Sequence, residues 1–308
     1  MTVPFPHVRG LRRLRGRAVV DLAESANLYL TERQGLLYER AIGGREYRKT
    51  VLGPIERAEG ALPWLWGEAF GRNRKPVAIV DCGPGTAAEA LRHLGFLHRQ
   101  ALVSRYVAVD VNPRLLSRVA EAVGRRRGVP INTICARFED LTRLQLPLPR
   151  ATPILLMLGS TIMNFEVSAW IELIRGLTTT GDYLWVLEVT APARRPKQHA
   201  SAYNTPAISA FTFEPLRLLA GRRQDFRSDL RWKGDRVEFG FRAVRAVTLG
   251  QHGIHLRRGD AVVTGFSRRP SLAEHRSSML SLCRDVHSYV TPAGVVASLG
   301  AVGTGGRS

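Results

Sequence analysis

Short apolar runs alternate with segments of helical periodicity through the middle of the chain. The apolar runs occupy positions 77–80, 106–109, 131–135, 154–158 and 184–189. The segments between them repeat apolar residues every three or four positions, as at Ala87, Leu91 and Leu94. Buried strands that alternate with amphipathic helices are typical of βαβ units, whose strands lie parallel in one sheet. The pattern therefore predicts an α/β domain with a Rossmann-like sheet.

The pattern changes on both sides of this domain. Residues 10–50 are basic, and their scattered apolar positions favour a helical layer. Residues 193–198, rich in proline and arginine, indicate a linker, and a helical segment follows at 208–219. Residues 226–267 alternate in polarity and predict antiparallel strands, before a short helix at 272–286 and a glycine-rich tail. The chain therefore contains a second module besides the α/β domain.

The composition is typical of a soluble globular protein with one or two domains. Of the 308 residues, 44% are hydrophobic and 23% are charged, and no apolar run approaches the roughly 18 residues of a membrane helix. Cys82, Cys135 and Cys283 have no spacing that indicates a disulfide framework or a zinc site, so we expect no metal. No apolar segment follows the N-terminal arginines, which argues against a secretory signal and predicts a cytoplasmic protein.

The net charge of +19 is unusual and has two explanations. Only four of the 45 basic residues are lysines, and an arginine bias of this kind arises in GC-rich coding sequences without any effect on function. The alternative is an anionic partner, but basic binding surfaces are typically concentrated in a stripe or a tail. Because the arginines are spread along the chain, we do not expect nucleic acid or a membrane as a partner.

A glycine-rich turn follows the first apolar run of the α/β domain. It reads Asp81-Cys82-Gly83-Pro84-Gly85-Thr86, and a helical segment comes next. Glycine lets the backbone approach a ligand closely at the carboxyl end of a strand. A phosphate-binding loop would need a Lys-Ser/Thr pair or a third glycine, and the sequence has neither at this place. The turn resembles instead the acidic-x-Gly-x-Gly loop of S-adenosylmethionine-dependent methyltransferases, whose cofactor contains no phosphate.

The next two predicted strands also end in groups that suit such a cofactor. Asp110 ends the second strand, where a carboxylate can accept hydrogen bonds from both hydroxyls of a ribose. Phe138 follows the third strand, where an aromatic ring could stack on adenine. Each residue has a structural alternative, because Asp110 could cap the helix after Pro113 and Phe138 could belong to the core. Three successive strand ends agree on a cofactor site, whose predicted residues are Asp81, Gly83, Gly85, Thr86, Asp110 and Phe138.

The fourth predicted strand leads into a motif that resembles a known family. Leu158-Gly-Ser-Thr-Ile-Met-Asn164 is similar to the Leu-Gly-Ser-Thr-Ile-Gly-Asn signature of the histidine-specific methyltransferases, best known from ergothioneine biosynthesis. Further similar segments are Arg45-Glu46-Tyr47, Ala202-Tyr203-Asn204, 259–267 and Thr291-Pro-Ala-Gly294. The resemblance implies a class I methyltransferase domain at 52–191 and 270–308. It also implies an α+β substrate-binding domain formed by 1–51 and the insertion at 192–269.

The resemblance implies roles for individual residues as well. Gly83, Asp110 and Phe138 match positions that contact the cofactor, and Asn164 matches the residue that holds the amine to be methylated. Desolvation and a hydrogen bond to the Asn164 carbonyl would favour the neutral amine that methyl transfer requires. The alternative for Asn164 is a structural turn cap. Glu188, at the end of the fifth strand, is a candidate proton acceptor, with a structural role as its alternative.

The predicted substrate pocket departs from the family pattern. Tyr203 matches a residue that grips the substrate carboxylate, and Tyr47 matches another tyrosine of the pocket. Gly265 stands where the family has a glutamate that contacts imidazole, whereas Ser267 retains that glutamate's companion. Phe239 replaces a methionine. Near the cofactor, Glu89 and Arg137 replace a lysine and an aspartate. A pocket without its buried polar partner loses its basis for selecting histidine, so we expect a different substrate.

These observations predict an S-adenosylmethionine-dependent N-methyltransferase. The expected acceptor is the primary amine of an amino acid or of an aminoacyl-type intermediate in a specialised-metabolite pathway, such as an antibiotic pathway. An RNA methyltransferase is the alternative that the charge suggests, although the tryptophans are dispersed and form no stacking platform. A cofactor-binding protein without chemistry is a third alternative, against which the retained Asn164 and Tyr203 argue.

Overall fold

The computed structural model of the protein describes residues 6–14, 17–70, 76–99, 103–125, 128–149, 152–190, 202–250 and 253–303. Contacts between residues divide the chain into two compact units. Unit 1 comprises Met1–Leu52 and Ala193–Arg269, and unit 2 comprises Gly53–Pro192 and Pro270–Ser308. These boundaries lie within one residue of those inferred from the sequence. The roles of the two units, in substrate and cofactor binding, stay predictions.

The secondary structure of the described residues has the following bounds. The strands are β1 (Gly10–Leu14), β2 (Arg17–Asp21), β3 (Val77–Cys82), β4 (Val103–Asp110), β5 (Ile131–Cys135), β6 (Ile154–Gly159), β7 (Tyr183–Val189), β8 (Phe226–Ser228), β9 (Arg231–Lys233), β10 (Arg236–Ala243), β11 (Val247–Leu249), β12 (Ile254–Leu256), β13 (Ala261–Arg268), β14 (Cys283–Val290) and β15 (Val295–Val302). The helices are α1 (Glu32–Gly43), α2 (Arg45–Tyr47), α3 (Gly53–Glu59), α4 (Leu62–Phe70), α5 (Ala88–Arg99), α6 (Pro113–Gly124), α7 (Val167–Leu177), α8 (Pro206–Leu218) and α9 (Leu272–Leu280). None of the described helices is both long and apolar enough to cross a bilayer.

Unit 2 is formed around a sheet in the order β14-β15-β7-β6-β3-β4-β5. Strands β3 to β7 lie parallel, whereas β15 is antiparallel to β7 and β14 is antiparallel to β15. All six residues of β3 are buried, as expected of a parallel strand whose two faces are covered by helices. This burial explains why the strands are visible in the sequence as apolar runs. The predicted α/β fold class is therefore confirmed.

The strand order reverses at β3. The chain passes from β3 to β4 and β5 on one side, and returns to place β6 and β7 on the other side. In sheets of this kind ligands bind outside the carboxyl ends of the strands, at the point where the order reverses. The topology therefore directs attention to the loops that follow β3 and β6.

The prediction for the C-terminal segment is wrong in part. Helix α9 begins at a capping box of Ser271 and Glu274 and ends at Leu280 rather than at residue 286. The following residues form the hairpin of β14 and β15, and all eight residues of β15 are buried. The glycines near the end of the chain predict a tail, but Gly300 lies within the sheet, where a Cβ would be only 2.7 Å from Cys283 Sγ. A close approach of two strands explains that glycine.

Unit 1 contains a sheet in the order β1-β2-β13-β10-β8, with β9 paired to β10. Strands β8 to β10 and β13 are antiparallel, as their alternating polarity predicts, and Gly234 forms the turn before β10 with φ +57°. Phe213 and Leu216 of α8 belong to the same buried core as Phe226 and Phe241 of the sheet. The linker predicted at 193–198 lies outside the described residues.

The helical layer predicted for residues 10–50 is correct only for its second half. Strands β1 and β2 pair antiparallel, and β2 pairs in parallel with β13, so that Val19 is opposite Ala261. The partner strand lies about 240 positions further along the chain, as shown by the hydrogen bond between the Ala18 N–H and Asp260 Oδ1 (2.9 Å). A local pattern cannot reveal such a pairing.

Candidate functional site

The glycine turn after β3 is held against the loop after β6. Gly83 and Gly85 have φ angles of +77° and +57°, a region that favours glycine. A Cβ at position 83 would lie 2.4 Å from Thr161 Oγ1, which itself donates to the Gly83 carbonyl oxygen (3.2 Å). The backbone at Gly83 is therefore bare and fixed beside the reversal of strand order, where a ligand can approach it closely. Thr86, the last residue of the predicted turn, is exposed.

Asp81, the acidic residue of the glycine turn, has a partner inside the sheet. Its side chain is 4% exposed, and its Oδ2 accepts a hydrogen bond from the Tyr106 hydroxyl on β4 (2.5 Å). Burial raises the pKa of Asp81 to about 7, and the bond from Tyr106 opposes that rise. Part of the hydrogen-bonding capacity of this carboxyl is thus used to hold β3 against β4.

Asp110 lies at the carboxyl end of β4 and is 6% exposed. The backbone N–H of Asn112 donates to its Oδ1 (2.8 Å), while burial raises the pKa of the carboxyl to about 6. The N-cap of α6 is Asn112, which accepts from the backbone N–H groups of Arg114 and Leu115. The alternative in which Asp110 caps this helix is therefore wrong. A buried carboxylate at a strand end fits a ligand that donates two hydroxyl hydrogen bonds.

Phe138 and Asn164 lie in the loops that follow β5 and β6. The rings of Phe138 and Phe165 are 5.7 Å apart and inclined by 39°, and both residues are half-buried. Asn164 ends a 3-10 turn, which is closed by a backbone hydrogen bond from Phe165 to Ile162 (3.2 Å). Among the described residues, the Asn164 carboxamide makes no hydrogen bond, so a role as a turn cap is not supported. The available amide of Asn164 therefore comes directly before Phe165, one of the two rings of the aromatic pair.

Glu89, which stands in place of the family's lysine, introduces a carboxyl next to the β6 loop. A Cβ at Gly159, where φ is +48°, would lie 2.7 Å from Glu89 Oε2. Burial, together with the carboxyls of Glu59 and Asp81, raises the pKa of Glu89 well above its ordinary value. The neighbouring His93 is 2% exposed, and burial lowers its pKa to about 3. This part of the site therefore favours neutral groups or a cation brought by a ligand.

Glu188 does not stand free for proton transfer. Its side chain is 1% exposed and its Oε2 lies 2.5 Å from Nδ1 of His275 on α9. The other ring nitrogen, Nε2, lies 2.7 Å from Ser298 Oγ on β15. The network connects two strands and a helix of unit 2, which supports the structural alternative for Glu188.

In unit 1, the structure brings together the residues predicted to bind the substrate. The ring of Tyr203 lies edge-on to that of Tyr47 at 5.6 Å and is 5.4 Å from that of Phe239. Burial, reinforced by the neighbouring Tyr203, raises the pKa of Tyr47 well above its ordinary value, so the phenol stays neutral. Gly265 is opposite Phe239 in the pairing of β10 with β13, and Ser267 lies two residues further along β13.

Two residues of this pocket were not found in the sequence. A Cβ at Gly265 would lie 2.8 Å from Leu28 Cδ1, so the space beside this glycine is filled by an apolar side chain. Arg269 is completely buried and donates hydrogen bonds to the hydroxyl groups of both Tyr203 and Ser267. Nothing in the sequence around Leu28 indicates that this residue lies in the pocket. Arg268 ends β13 and Arg269 follows it, and two successive arginines in a basic sequence are usually interpreted as exposed to solvent.

Comparisons with known proteins agree with the motifs. Residues 67–283 match the family described as histidine-specific, S-adenosylmethionine-dependent methyltransferases. A histidine N-alpha-methyltransferase of Mycobacterium tuberculosis (strain CDC 1551 / Oshkosh) is 32% identical over 112 residues, which are 34% of this chain. The matched segment spans only 34% of that relative's own length.

Solved structures with a similar fold share little sequence with the chain. A putative methyltransferase from Thermobifida fusca YX is 12% identical, with 89% of this chain and 96% of that chain covered and a TM-score of 0.47. A putative O-methyltransferase from Nostoc punctiforme PCC 73102 is 13% identical, with 86% and 60% covered and a TM-score of 0.44. The assignment of the fold rests on the strand order of unit 2. The family match extends over most of the length of the chain. The chain therefore belongs to the histidine-specific, S-adenosylmethionine-dependent methyltransferases, as its motifs predict.

Proposed function

We propose that this protein transfers a methyl group from S-adenosylmethionine to the primary amine of an amino acid or of an aminoacyl-type intermediate other than histidine. The product would belong to a specialised-metabolite pathway. The observation that carries the transfer chemistry is the Asn164 carboxamide, which makes no hydrogen bond among the described residues and adjoins the Phe138–Phe165 pair. In this proposal Gly83, Gly85 and Asp110 bind the cofactor, with Phe138 against its adenine.

The groups of unit 2 suit a direct displacement. Bound S-adenosylmethionine supplies a methyl group on a positively charged sulfur. The Asn164 carbonyl oxygen accepts a hydrogen bond from the acceptor amine and so orients the nitrogen lone pair, and orientation of this kind accounts for much of the acceleration in such reactions. The amine has to be neutral to attack. The half-buried surroundings of Asn164 disfavour the charged form of an amine bound there. After the new C–N bond forms, the proton leaves to water.

The choice of acceptor rests on unit 1. The glutamate that contacts imidazole in the family is replaced by Gly265, and the space next to this glycine is filled by Leu28. Phe239 adds a second apolar wall. Without the glutamate that contacts imidazole, the pocket gives histidine no advantage over an amino acid with an apolar side chain. We therefore propose that the acceptor presents an apolar group to Leu28 and Phe239.

The experiment offers S-adenosylmethionine and a panel of primary amines to the purified protein, and detects methylated products by mass spectrometry. The panel contains L-histidine, the apolar and aromatic L-amino acids, their amides and bulk RNA. We expect methylation of an apolar amino acid or of its amide, with histidine a poor acceptor. In Asn164→Ala, methylation should be lost while S-adenosylhomocysteine still binds in calorimetry. Preferential methylation of histidine contradicts the proposed acceptor, and methylation of RNA alone favours the alternative function.

A further inference from the structure

Arg269 connects the two hydroxyl groups of the predicted substrate pocket in unit 1. Its side chain has 0% exposure, and Tyr203 and Ser267 are each 5% exposed. Arg269 Nη1 donates to Ser267 Oγ (2.9 Å) and to the carbonyl oxygen of Arg268. Arg269 Nη2 donates to the Tyr203 hydroxyl. One buried guanidinium therefore holds two side chains that are 64 positions apart in the sequence.

The chemistry of these groups fixes the direction of their hydrogen bonds. A guanidinium only donates, whereas a hydroxyl has one proton to donate and lone pairs with which to accept. Both hydroxyl oxygens accept from Arg269, so neither hydroxyl proton is directed at it. Among the described residues, neither hydroxyl donates a hydrogen bond. Both protons are thus available to a ligand that brings an acceptor.

We infer that Arg269 is a positioning residue that makes Tyr203 and Ser267 a pair of donors for one anionic group, a carboxylate, of the bound acceptor. The inference rests on the proposed function to the extent that the ligand is the methyl acceptor. A buried positive charge strengthens both donors, because charge-assisted hydrogen bonds are stronger than neutral ones and the low dielectric of the interior adds to the effect. An ammonium is disfavoured there, because it carries the same charge as the buried guanidinium. Ser267 then serves the carboxylate end of the ligand rather than its side chain.

The test measures binding of two probes, 3-phenylpropanoate and 3-phenylpropanamide, to the full chain by NMR titration. The probes share an apolar body and contain no primary amine, so binding is independent of methyl transfer. We expect the carboxylate to bind roughly tenfold more tightly than the carboxamide, because it is the stronger acceptor for two donors. In Arg269→Met this preference should disappear. In Arg269→Lys it should return only in part, since an ammonium keeps the charge but cannot reproduce the fork that holds both hydroxyls.

The control variant is Arg242→Met, which changes another arginine of unit 1. Arg242 Nη2 lies 2.8 Å from Asp229 Oδ2, and its loss should leave the carboxylate preference unchanged. Tyr203→Phe and Ser267→Ala remove the donors but keep Arg269, and each should lower the preference. These two variants decide the question even where Arg269→Met does not fold.

Several outcomes separate the inference from the proposed function. Equal affinity of the wild-type protein for the two probes, or binding of neither, overturns the inference. An unchanged preference in folded Arg269→Met or in both hydroxyl variants overturns it as well. A carboxylate preference that depends on Arg269, in a protein that methylates no amine, leaves the inference standing and refutes the proposed function.

Discussion

The two units form their predicted sites in different ways. In unit 2 the predicted site residues lie at the ends of neighbouring strands or in the loops directly after them, as Gly83 does after β3 and Asp110 on β4, so the sheet itself places them. In unit 1 the pocket depends on side chains from distant segments that meet in the core, such as Tyr47, Tyr203 and Arg269. The first arrangement tolerates little change in the backbone, whereas the second can change its chemistry one side chain at a time.

This difference explains where the chain departs from its family. The signature after β6 is retained almost unchanged, and it includes Thr161, whose hydroxyl holds the Gly83 backbone. The replacements at Phe239 and Gly265 lie opposite each other on neighbouring strands, and Leu28 packs against that glycine. Under the proposed function, a new acceptor is accommodated by changes in unit 1 while the transfer site in unit 2 stays the same.

The largest expected effect comes from a methyl group at Gly83. In Gly83→Ala, the new Cβ meets Thr161 Oγ1 at 2.4 Å and the backbone has φ +77°. Strain and overpacking together should cost roughly 2–5 kcal/mol of unfolding free energy, with loss of S-adenosylhomocysteine binding. In Gly265→Ala, the nearest atom is the flexible end of Leu28, and the expected cost is only about 1 kcal/mol. Urea unfolding and calorimetry measure both effects.

The control for this pair is Gly181→Ala. Gly181 also has a positive φ, +101°, but no group of the described residues lies within 4 Å of the place that its Cβ would take, so this variant reports backbone strain without the collision. Equal losses of stability in the Gly83 and Gly265 variants would remove the distinction between a site fixed by backbone and one adjusted by side chains.

The next effect concerns Asp110 and its charge. Asp110→Ala should weaken S-adenosylhomocysteine binding by roughly 1–3 kcal/mol, the usual cost of leaving buried hydroxyl groups without their charged acceptor. The carboxyl has to be ionised for this role, and burial raises its pKa to about 6. Affinity should therefore rise as the pH increases through about 6 and then level off. In Asp110→Asn that pH dependence should vanish, and an identical pH profile in this variant would contradict the assignment.

The raised pKa values of Asp110 and of Asp81 make the stability of the ligand-free protein fall as the pH rises, opposite to the expected change in affinity. Asp81 and Asp110 have pKa values raised to about 7 and about 6, so the folded state holds their protons more tightly than the unfolded chain does. Their contribution to stability is full below the unfolded pKa of about 4 and is lost as the pH rises through 6 to 7. Thermal unfolding of the ligand-free protein should show this loss, and Asp110→Asn should reduce it.

A smaller effect is expected for histidine recognition. Gly265→Glu alone should gain little activity on histidine, because Leu28 fills the space next to residue 265. The double variant Leu28→Ala/Gly265→Glu provides both the room and the polar partner, and its kcat/KM for histidine should rise about tenfold over the wild type. Leu28→Ala is the matched control, since it provides room without a carboxylate. A similar gain in both variants would show that the glutamate is irrelevant.

The sequence predicts the site in unit 2 better than the pocket in unit 1, for a physical reason. Strands β3, β6 and β7 are almost completely buried. Together with β4 and the partly exposed edge strand β5 they appear in the sequence as apolar runs, and the candidate residues lie at or just after the ends of these strands. The structure was needed to exclude a capping role for Asp110, because Asn112 is an equally suitable cap and only the structure shows which residue is used.

The elements that the sequence did not reveal depend on distant partners. Strand β2 pairs with β13 from the far end of the chain, and Gly300 is explained by the neighbouring Cys283. Arg269 is completely buried and has two hydroxyl partners, and neither property leaves a trace in composition or periodicity. Side-chain contacts of this kind emerge only once the fold has brought the segments together.

The smallest expected effect is that of salt on methyl transfer. If the acceptor is a small amino acid, the arginines contribute no phosphate contacts, and the rate should change less than about threefold between roughly 50 and 200 mM salt, because screening then acts only on weak long-range attraction. An RNA acceptor with six or more phosphate contacts would lose roughly 10³ in affinity over the same range, because each contact releases counterions. The measurement pairs a methylation assay on the best small acceptor with filter binding of bulk RNA. A steep salt slope accompanied by methyl incorporation into RNA would show that the charge of +19 serves a nucleic acid.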